Sequence, residues 1–440
     1  MATSRLVFDS WEETYAERMN HLRRSAVRDL FAAISRPEVI GLSGGSPDIS
    51  SLPLDEVAAC AARCIQEEGL KALQYGGSDG RIEMRRTVCE LLAEDGIFVD
   101  PDEIILVAGS QQALDFIGRT FVTPGDTIIC EGPTYLGALQ AFSAYEPNVV
   151  CIDMDKDGMR MDLLEAKLKE LGPNGAKFIY TIPNFQNPAG VTLSLERRKR
   201  LIELSHEYNI PVVEDDPYGR LRYEGEHIPP MKSMDPSIIY LGTVSKIFAP
   251  GLRLAWCVAP KPYLARMNLC LQGAGLCVSA FNQVMCEHYF HDTDWKATLA
   301  KSIAVYTERR NAMLDELSKC FGPEVTWTYP VGGFFVWLTL PPYFDSNQLL
   351  SVALERGVAF VPGTNCYPDG RGASSMRIAF CYEKPERIRE AIRRLADVVE
   401  DRMGLYRAFL DAGALPEREP EETQLGAHWP SPFESQKEDM

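Results

Sequence analysis

The chain has 440 residues, with 45 lysines and arginines against 62 aspartates and glutamates, so its formal net charge at pH 7 is −17. This acidity argues against binding to nucleic acid or to an anionic membrane, because phosphate groups are held mainly by lysine and arginine. The hydrophobic fraction of 45% is that of an ordinary globular protein, and no apolar run approaches the ~20 residues that cross a bilayer. The first residues, MATSRLVFDSWEE, lack the apolar stretch of a secretory signal, so we expect a cytoplasmic protein.

Short apolar runs alternate with helix-like segments through most of the chain. The runs that predict buried strands are, in chain order, residues 104–107, 127–130, 178–180, 211–213, 238–241 and 254–258. Between them, a helix is predicted to open near Ser110 and run through Phe121, and Ser194 is placed to cap another that carries Leu195 and Leu204 on or near one face. Short apolar strands between helices indicate an α/β fold with a mostly parallel central sheet flanked by helices.

The pattern changes past about residue 300, where a helix, the run GGFFVWLTL, a second helix and the run MRIAFC predict a smaller α+β domain. The final thirty residues hold four prolines, eight acids and two bases without a sustained period, which is typical of a flexible tail. We therefore expect a segment that joins the small domain at 1–50, a large domain at 51–300, the small C-terminal domain at 301–410 and an acidic tail at 411–440.

Neither the cysteines nor the histidines form a pattern that holds a metal. The twelve cysteines include no C-x-x-C pair, and the six histidines are dispersed along the chain. His288 and His291 lack the spacing of a helical zinc pair. We expect reduced, mostly buried thiols and no metal site.

In sheets of this kind, ligands bind beyond the carboxyl ends of the strands. One such end carries Gly109, Ser110 and Gln111, which open a helix. Small residues there let backbone N–H groups approach a phosphate, and the helix dipole favours the anion. Neither a G-x-x-x-x-G-K loop nor a complete G-x-G-x-x-G fingerprint follows a predicted strand, which argues against ATP-dependent and nicotinamide-dependent chemistry.

Three further segments bring reactive side chains to strand ends. Residues 243–253 hold Lys246, which can act as a nucleophilic amine if burial depresses its pKa, together with hydroxyl groups and Arg253. Asp215 ends the fourth predicted strand, and Asn187 follows the third within N-P-A-G. Taken singly, these also fit a solvated lysine, a helix cap and a turn. Together they meet the needs of pyridoxal 5′-phosphate chemistry, namely an amine for a Schiff base, an acid for the ring nitrogen and a phosphate site.

The chain resembles the fold-type I, class I/II aminotransferases that depend on pyridoxal 5′-phosphate. The matching motifs span about residues 20–400 and read LSGGSPD, ALQYGGSDG, AGSQQALD, EGPTYLGALQAF, PNFQNPAG, VVEDDPYG, TVSKIFAPGLRLAW and SMRIAF. It is most similar to the 2-aminoadipate and kynurenine aminotransferases and to the aminotransferase-like half of MocR-type regulators. The resemblance implies the fold of that family, pyridoxal 5′-phosphate bound in the large domain, and a homodimer with its active site at the subunit interface.

The resemblance also assigns catalytic roles. Lys246 would form the Schiff base and, once displaced by the incoming amino acid, would carry the proton between Cα and C4′. Asp215 would keep the pyridine nitrogen protonated. It is favoured over Asp216 because the family has a tyrosine three positions after this aspartate, here Tyr218. Tyr218 and Asn187 would bond the phenolic oxygen.

The remaining implied residues bind the cofactor or the substrate. Tyr135 would stack on the ring. The residues implied to hold the phosphate are Ser110, Gln111, Thr243, Ser245, Arg253 and, from the neighbouring subunit, Tyr75. Those implied to contact the substrate are Arg377, which would clamp the α-carboxylate bidentately, Asn187, Gly45 and Arg28. Arg28 is either the partner of a distal substrate carboxylate or an ordinary arginine on a helix surface.

The resemblance implies transfer of an amino group from an L-amino acid to a 2-oxo acid such as 2-oxoglutarate or pyruvate, by a ping-pong aldimine/ketimine mechanism. A lyase, decarboxylase or oxidase on the same scaffold is one alternative, because the bond that breaks at Cα depends on which one stands perpendicular to the ring. A ligand-sensing transcription regulator is disfavoured, because about forty residues precede LSGGSPD, too few for a winged-helix domain, and because the chain is acidic. Ala189, where N-P-T-G is common, and the acidic tail depart from the family pattern and leave the substrate open.

Overall fold

The computed structural model describes residues 15–22 and 36–412, so Arg28 and the acidic stretch from residue 413 onward lie outside the described residues. Its α-helices are α1 Arg18–His21, α2 Leu54–Ala72, α3 Ile82–Ala93, α4 Ser110–Phe121, α5 Leu136–Ser143, α6 Met161–Leu171, α7 Leu195–Tyr208, α8 Met231–Met234, α9 Lys261–Gly275, α10 Ala280–Asp292, α11 Trp295–Cys320, α12 Ser346–Glu355 and α13 Pro385–Asp411. Its strands are β1 Ile40–Gly41, β2 Ile104–Val107, β3 Thr127–Gly132, β4 Asn148–Asp155, β5 Gly158–Met159, β6 Ile179–Thr181, β7 Val212–Asp215, β8 Ile239–Thr243, β9 Ala255–Val258, β10 Thr326–Trp327, β11 Phe335–Thr339, β12 Val358–Ala359, β13 Val361–Pro362 and β14 Ser375–Ala379. None of these helices is long and apolar enough to cross a membrane.

The largest sheet has eight strands in the order β2-β9-β8-β7-β6-β3-β4-β5. Strands β4, β3, β6, β7 and β8 run parallel, whereas β9 is antiparallel to both β2 and β8, and β5 is antiparallel to β4. The prediction of a mostly parallel α/β sheet flanked by helices is confirmed, and each predicted apolar run overlaps one of its strands. Strand β4 was not predicted, because two aspartates interrupt the apolar residues in the second half of NVVCIDMD.

Helix α7 begins where its capping residue predicts. The Ser194 hydroxyl accepts a hydrogen bond from the backbone N–H of Arg197 at 3.3 Å, and Leu204 is buried in the core. Leu195, in contrast, is 39% exposed, so its predicted place on the same face is wrong. At ~3.6 residues per turn, the separation of nine residues puts Leu195 on the side of the helix opposite Leu204.

Most buried hydrophobic residues in the described part of the chain lie in two regions, one around each of the main sheets. The first surrounds the eight-stranded sheet, and the second surrounds a four-stranded sheet in the order β10-β11-β14-β13. Ile40 and Leu42, from the N-terminal part of the chain, pack in the second region with Ile378, and β1 pairs with β12. Helix α11 crosses between the regions, since Trp295 packs in the first and Met313 in the second.

Two features of the eight-stranded sheet bring predicted site residues close together. Residues 244–254 join β8 directly to its antiparallel neighbour β9, so both ends of this loop are fixed in the sheet. Near its end Arg253 adopts the left-handed conformation, with φ at 49° and ψ at 51°. Strand β7, next to β8, ends at Asp215, which brings that carboxylate to the same edge of the sheet.

Candidate active site

A cavity of about 400 Å³ lies where the loops after β3, β6, β7 and β8 meet the four-stranded sheet. The predicted site residues that line it are Gly45, Ser110, Gln111, Tyr135, Asn187, Asp215, Tyr218, Thr243, Ser245, Lys246, Arg253 and Arg377. Tyr75 does not line this cavity and is 78% exposed, and Arg28 lies outside the described residues. The fold therefore gathers at one place side chains that lie as far apart in the chain as residues 45 and 377.

Lys246 contributes to the cavity an amine whose pKa is lowered. Its Nζ donates a hydrogen bond to the Gly45 carbonyl at 2.9 Å and lies 5.8 Å from the centre of the Phe334 ring. Burial lowers the pKa of Lys246 to about 8, and the positive charges of Arg253 and Arg377 act in the same direction. A lysine with such a pKa is partly neutral near physiological pH, and only the neutral amine is a nucleophile or a base.

Asp215 uses one of its two carboxylate oxygens in a hydrogen bond within the protein. Its Oδ2 accepts a hydrogen bond from the Tyr180 hydroxyl at 2.8 Å, whereas its Oδ1 is buried and has no partner. Burial raises the pKa of Asp215 to about 7, against the opposing effect of the bond from Tyr180. Neighbouring Asp216 does not line the cavity and accepts bonds from the Asn184 amide and the Gly219 N–H instead. This agrees with the preference for Asp215, because successive strand-end residues face opposite ways.

The cavity fits pyridoxal 5′-phosphate on features of its own geometry. An unpartnered buried carboxylate oxygen is rare, and the N–H of a protonated pyridine is a donor that would satisfy Asp215 Oδ1. The Ser110 hydroxyl is likewise buried without a partner, at the start of α4 where anions are favoured. A Cβ at Gly109 would lie 2.0 Å from Arg253 Nη2, and one at Gly137 would lie 2.4 Å from the Tyr135 ring. Both glycines thus leave room for a functional side chain.

The residues predicted to bind the phosphate form two groups on neighbouring loops. Ser245 N–H donates to the Thr243 hydroxyl at 3.1 Å, and the two hydroxyl oxygens are 2.9 Å apart. Arg253 donates to the carbonyls of Pro250 and Ala108, so its guanidinium bridges from the β8–β9 loop to the start of α4. The Gln111 amide donates to the Gly137 carbonyl at 2.6 Å. The cavity wall there offers hydroxyls, a guanidinium and a helix N-terminus, which suit a phosphate.

Arg377 is buried and supported by neutral acceptors. Its Nη1 donates to Asn187 Oδ1 at 3.0 Å and its Nη2 to the Ser43 carbonyl at 2.6 Å, while its Nε has no partner. The guanidinium lies over the Phe335 ring at 4.4 Å, and burial lowers its pKa. Because no carboxylate neutralises it in these contacts, this guanidinium can receive an anionic group from outside the protein.

The cavity also contains residues that the sequence did not single out. The chief ones are Ser46, Leu136, Gln140, Ile182 and Phe335. Tyr180, which bonds Asp215, was predicted only as part of an apolar strand. The sequence of an apolar strand does not show which way the hydroxyl of its tyrosine points. The uncharged residues that line the cavity belong to no recognisable motif.

Comparison with known proteins also points to enzymes that use pyridoxal 5′-phosphate. A family model described as "Aminotransferase class I and II" matches residues 37–395. The aromatic-amino-acid aminotransferase 1 of Thermococcus litoralis is 41% identical over 398 residues, which cover 89% of this chain and 95% of that protein. The 2-aminoadipate transaminase of Thermus thermophilus is 35% identical over 401 residues, which cover 90% and 99%. A solved kynurenine aminotransferase of Pyrococcus horikoshii in complex with PMP has a TM-score of 0.86 at 40% identity, covering 90% of this chain and 99% of that one.

The family match contains every predicted residue found at the cavity and most of both hydrophobic cores. The similarity to named aminotransferases extends over about nine-tenths of the chain in each of the three comparisons. The chain therefore belongs to the class I and II aminotransferases and is an aminotransferase that depends on pyridoxal 5′-phosphate.

Proposed function

We propose that this aminotransferase moves the amino group of an L-amino acid to 2-oxoglutarate or pyruvate by a ping-pong mechanism. The observation that carries the proposal is the presence of the Lys246 amine, the unpartnered Asp215 oxygen and the Arg377 guanidinium on one cavity. Pyridoxal 5′-phosphate, when bound, supplies the carbonyl that accepts the amino group and a ring that withdraws electrons. The residues of the chain then hold the ring, bind the substrate carboxylate and move one proton.

The ring is held at its nitrogen, its face and its phenolic oxygen. Asp215 Oδ1 would accept the hydrogen bond of the ring nitrogen, and Tyr135 would stack on the ring. Asn187 Nδ2 and the Tyr218 hydroxyl would donate to the phenolic oxygen. They lie 3.5 Å from each other, at the limit of a hydrogen bond, so both keep the capacity to bond a third oxygen.

The phosphate would be held by hydroxyls, one side-chain amide and one guanidinium. Its proposed ligands are Ser110, Gln111, Thr243, Ser245, Arg253 and, from a second subunit, Tyr75. The unpartnered Ser110 hydroxyl and the start of α4 support this placement. The Arg253 guanidinium offers several N–H donors in a planar arrangement, which suits the oxygens of a phosphate.

Lys246 both retains the cofactor and moves the proton. Its Nζ would hold the cofactor and, once free, would accept a proton from the substrate Cα. The same Nζ would later give that proton back. A pKa of about 8 suits both directions, because a general acid–base works best when its pKa lies near the operating pH.

Arg377 is proposed to bind the α-carboxylate of both substrates. Replacing it with alanine should raise KM for the amino acid about 100-fold, because a buried guanidinium–carboxylate contact is lost. Cofactor affinity should change much less, since Arg377 lies on β14 and not among the phosphate ligands. Steady-state kinetics and cofactor titration measure the two effects separately.

A donor without a carboxylate is the control for this substitution. With a simple primary amine, Arg377→Ala and the wild type should react at similar rates, because neither uses the guanidinium. If the substitution slows the simple amine as much as it slows the amino acid, Arg377 does not act as the carboxylate ligand.

The reaction outcome is tested in a half-reaction without an acceptor. Glutamate alone should convert the bound cofactor from its aldehyde to its amine form, with release of 2-oxoglutarate and a change in the visible spectrum. A 2-oxo acid added afterwards should restore the first spectrum. Release of ammonia or CO₂ from glutamate and other common amino acids would instead identify the lyase or decarboxylase alternative, and consumption of O₂ would identify an oxidase.

The amino donor is proposed to be an aromatic or other large amino acid. The named relatives act on aromatic amino acids, 2-aminoadipate and kynurenine. The uncharged part of the described cavity wall includes Leu136, Ile182 and Phe335, which suit an apolar side chain. A 2-aminoadipate side chain would need a further cation, for which Arg28 is the candidate, and a panel of donors at fixed 2-oxoglutarate separates the two classes.

We propose a homodimer with Tyr75 of one subunit at the phosphate of the other. An apolar surface supports it: Leu70 is 95% exposed, Leu73 is 72% exposed and Leu276 is 61% exposed. The end of α9 lies beside the segment that carries Tyr75, since Gln272 donates to the Ser78 hydroxyl. Large exposed apolar side chains on one surface are typical of an interface.

The division of the chain is proposed as 51–300 for the large domain, 301–410 for the small domain, 1–50 for the joining segment and 411–440 for the tail. The packing of Ile40 and Leu42 with the second core supports the assignment of the joining segment. The passage of α11 between the two cores supports a boundary near residue 300. The cytoplasm is proposed as the compartment because all twelve cysteines are free thiols, which is typical of a reducing environment.

A further inference from the structure

Glu131 is a buried carboxylate beside the cavity that the proposed function does not use. It is the next-to-last residue of β3, is 1% exposed and does not line the cavity. Its Oε1 accepts a hydrogen bond from the Thr181 hydroxyl. Its Oε2 accepts two more, from the Ile182 N–H at 3.2 Å and from the Gln186 amide at 2.9 Å. These donors are neutral, so Glu131 is held by hydrogen bonds and not by an ion pair.

Gln186 extends this contact to the cofactor-binding loops. Its Nε2 donates also to the Pro133 carbonyl at 2.9 Å, and its Oε1 accepts from the Ala189 N–H at 2.7 Å. Gln186 therefore connects the end of β3 to the loop after β6. Tyr135 lies two residues beyond Pro133, and Asn187 follows Gln186 directly.

We propose that Glu131 is a positioning residue: through Gln186 it fixes the loop that carries Asn187 relative to Tyr135, and so aims the Asn187 amide at the cofactor. The position of Asn187 matters because the oxygen and the nitrogen of its side-chain amide make different contacts. Its Oδ1 accepts a hydrogen bond from Arg377 Nη1, and its Nδ2 lies 3.5 Å from the Tyr218 hydroxyl. A shift of the loop would disturb both the carboxylate site and the phenolic-oxygen site. The inference rests on the proposed role of Asn187.

A conservative substitution separates the hydrogen bonds of Glu131 from its charge. Burial raises the pKa of Glu131 to about 7, and the charge of Asp215 acts in the same direction. In Glu131→Gln, the amide oxygen can accept from the Ile182 N–H and Gln186, and the amide nitrogen can donate to the Thr181 hydroxyl. Glu131→Ala supplies none of these partners and leaves buried donors unsatisfied.

The experiment compares the variants as holoenzymes. Glu131→Ala should lower kcat/KM for the amino acid about 10- to 100-fold, and Glu131→Gln should remain within about 3-fold of the wild type. In Glu131→Ala the pH midpoint of the visible absorption of the bound cofactor should also move, in the direction seen for Asn187→Ala. Equal losses in Glu131→Ala and Glu131→Gln would overturn the proposal, because charge and not hydrogen bonding would then be the cause.

Glu214 provides a matched control in the same sheet. It is fully buried on β7, and burial raises its pKa to about 7 as well. It accepts from the backbone N–H groups of Met231 and Lys232 and does not line the cavity. Glu214→Ala should lower the melting temperature while leaving kcat/KM and the cofactor midpoint near those of the wild type. A Glu131→Ala variant that behaves like Glu214→Ala would reduce Glu131 to a structural residue.

A double-mutant cycle tests the route through Asn187. If Glu131 acts by aiming Asn187, the double variant Glu131→Ala/Asn187→Ala should match Asn187→Ala alone within about 2-fold. Independent, multiplying effects would overturn the proposed route. An Asn187→Ala variant with wild-type kinetics and spectrum would instead contradict the proposed function at Asn187, so the two failures give different results.

Discussion

Replacing Lys246 with alanine should reduce transamination by about 10⁴-fold or more, because the same amine retains the cofactor and moves the proton. Lys246 faces an open cavity of about 400 Å³, which should accept the smaller side chain, so the fold should remain. The bound cofactor should lose the absorption band that depends on its bond to the lysine, and it should dissociate more readily. Circular dichroism, the visible spectrum and single-turnover rates with glutamate measure fold, attachment and chemistry in turn.

Lys232 is the matched control for that experiment. It is also a buried lysine whose pKa burial lowers, but its Nζ donates to the carbonyls of Pro236 and Ile238, away from the cavity. Lys232→Ala should cost stability while keeping the cofactor spectrum and the half-reaction. A Lys246→Ala variant that still converts glutamate would refute the assignment of the catalytic amine.

Replacing Asp215 with asparagine should slow the half-reaction by about 10²- to 10³-fold, the usual cost of removing one preorganised electrostatic contact. Asparagine keeps the volume of the side chain and can still accept the bond from Tyr180. It lacks the negative charge that favours a proton on the ring nitrogen, so the electron-withdrawing power of the ring falls. Single-turnover rates at saturating glutamate isolate this effect from any change in substrate binding.

The adjacent carboxylate gives a control for Asp215. Asp216→Asn removes a charge one residue away, but Asp216 bonds Asn184 and Gly219 outside the cavity. Its rate should stay within about tenfold of the wild type, and the lost repulsion should lower the pKa of Asp215. If Asp216→Asn were the slower variant, the roles of the two aspartates would have to be exchanged.

Local sequence predicted the parts of the site that are local in the chain. The lysine loop, the strand that ends at Asp215 and the start of α4 each combine a strand, a turn and functional residues within a few positions. The antiparallel placement of β9 was not predicted, since a short apolar run carries no sign of its direction. Contacts between distant segments were equally inaccessible: Arg377 bonds Asn187 across 190 positions, and Lys246 bonds the Gly45 carbonyl across 201.

The resemblance to a known family predicted a role for Arg377 that the local sequence pattern could not. Arg377 lies in the middle of a buried strand, where arginine alone suggests a salt bridge at a sheet edge, and only SMRIAF marked it as a substrate ligand. Neutral wall residues such as Gln140 and Ser46 remained unpredicted, because their place depends on how the loops pack. Glu131 was likewise missed, since its three hydrogen-bond donors come from the end of β6 and the loop after it, about fifty residues away.

The loop between β8 and β9 has a consequence for how such a protein can change. Thr243, Ser245, Lys246 and Arg253 belong to eleven consecutive positions whose two ends are held by one strand pair. Closing so short a loop costs little entropy, so one strand pair sets the backbone positions of the amine and of these proposed phosphate ligands. Gly45, Asn187 and Arg377, in contrast, meet only through long-range packing. Mutations outside this loop can therefore change which amino acid the cavity binds without moving Lys246 or Arg253. New substrate specificities can evolve in this way while the residues proposed for the chemistry stay the same.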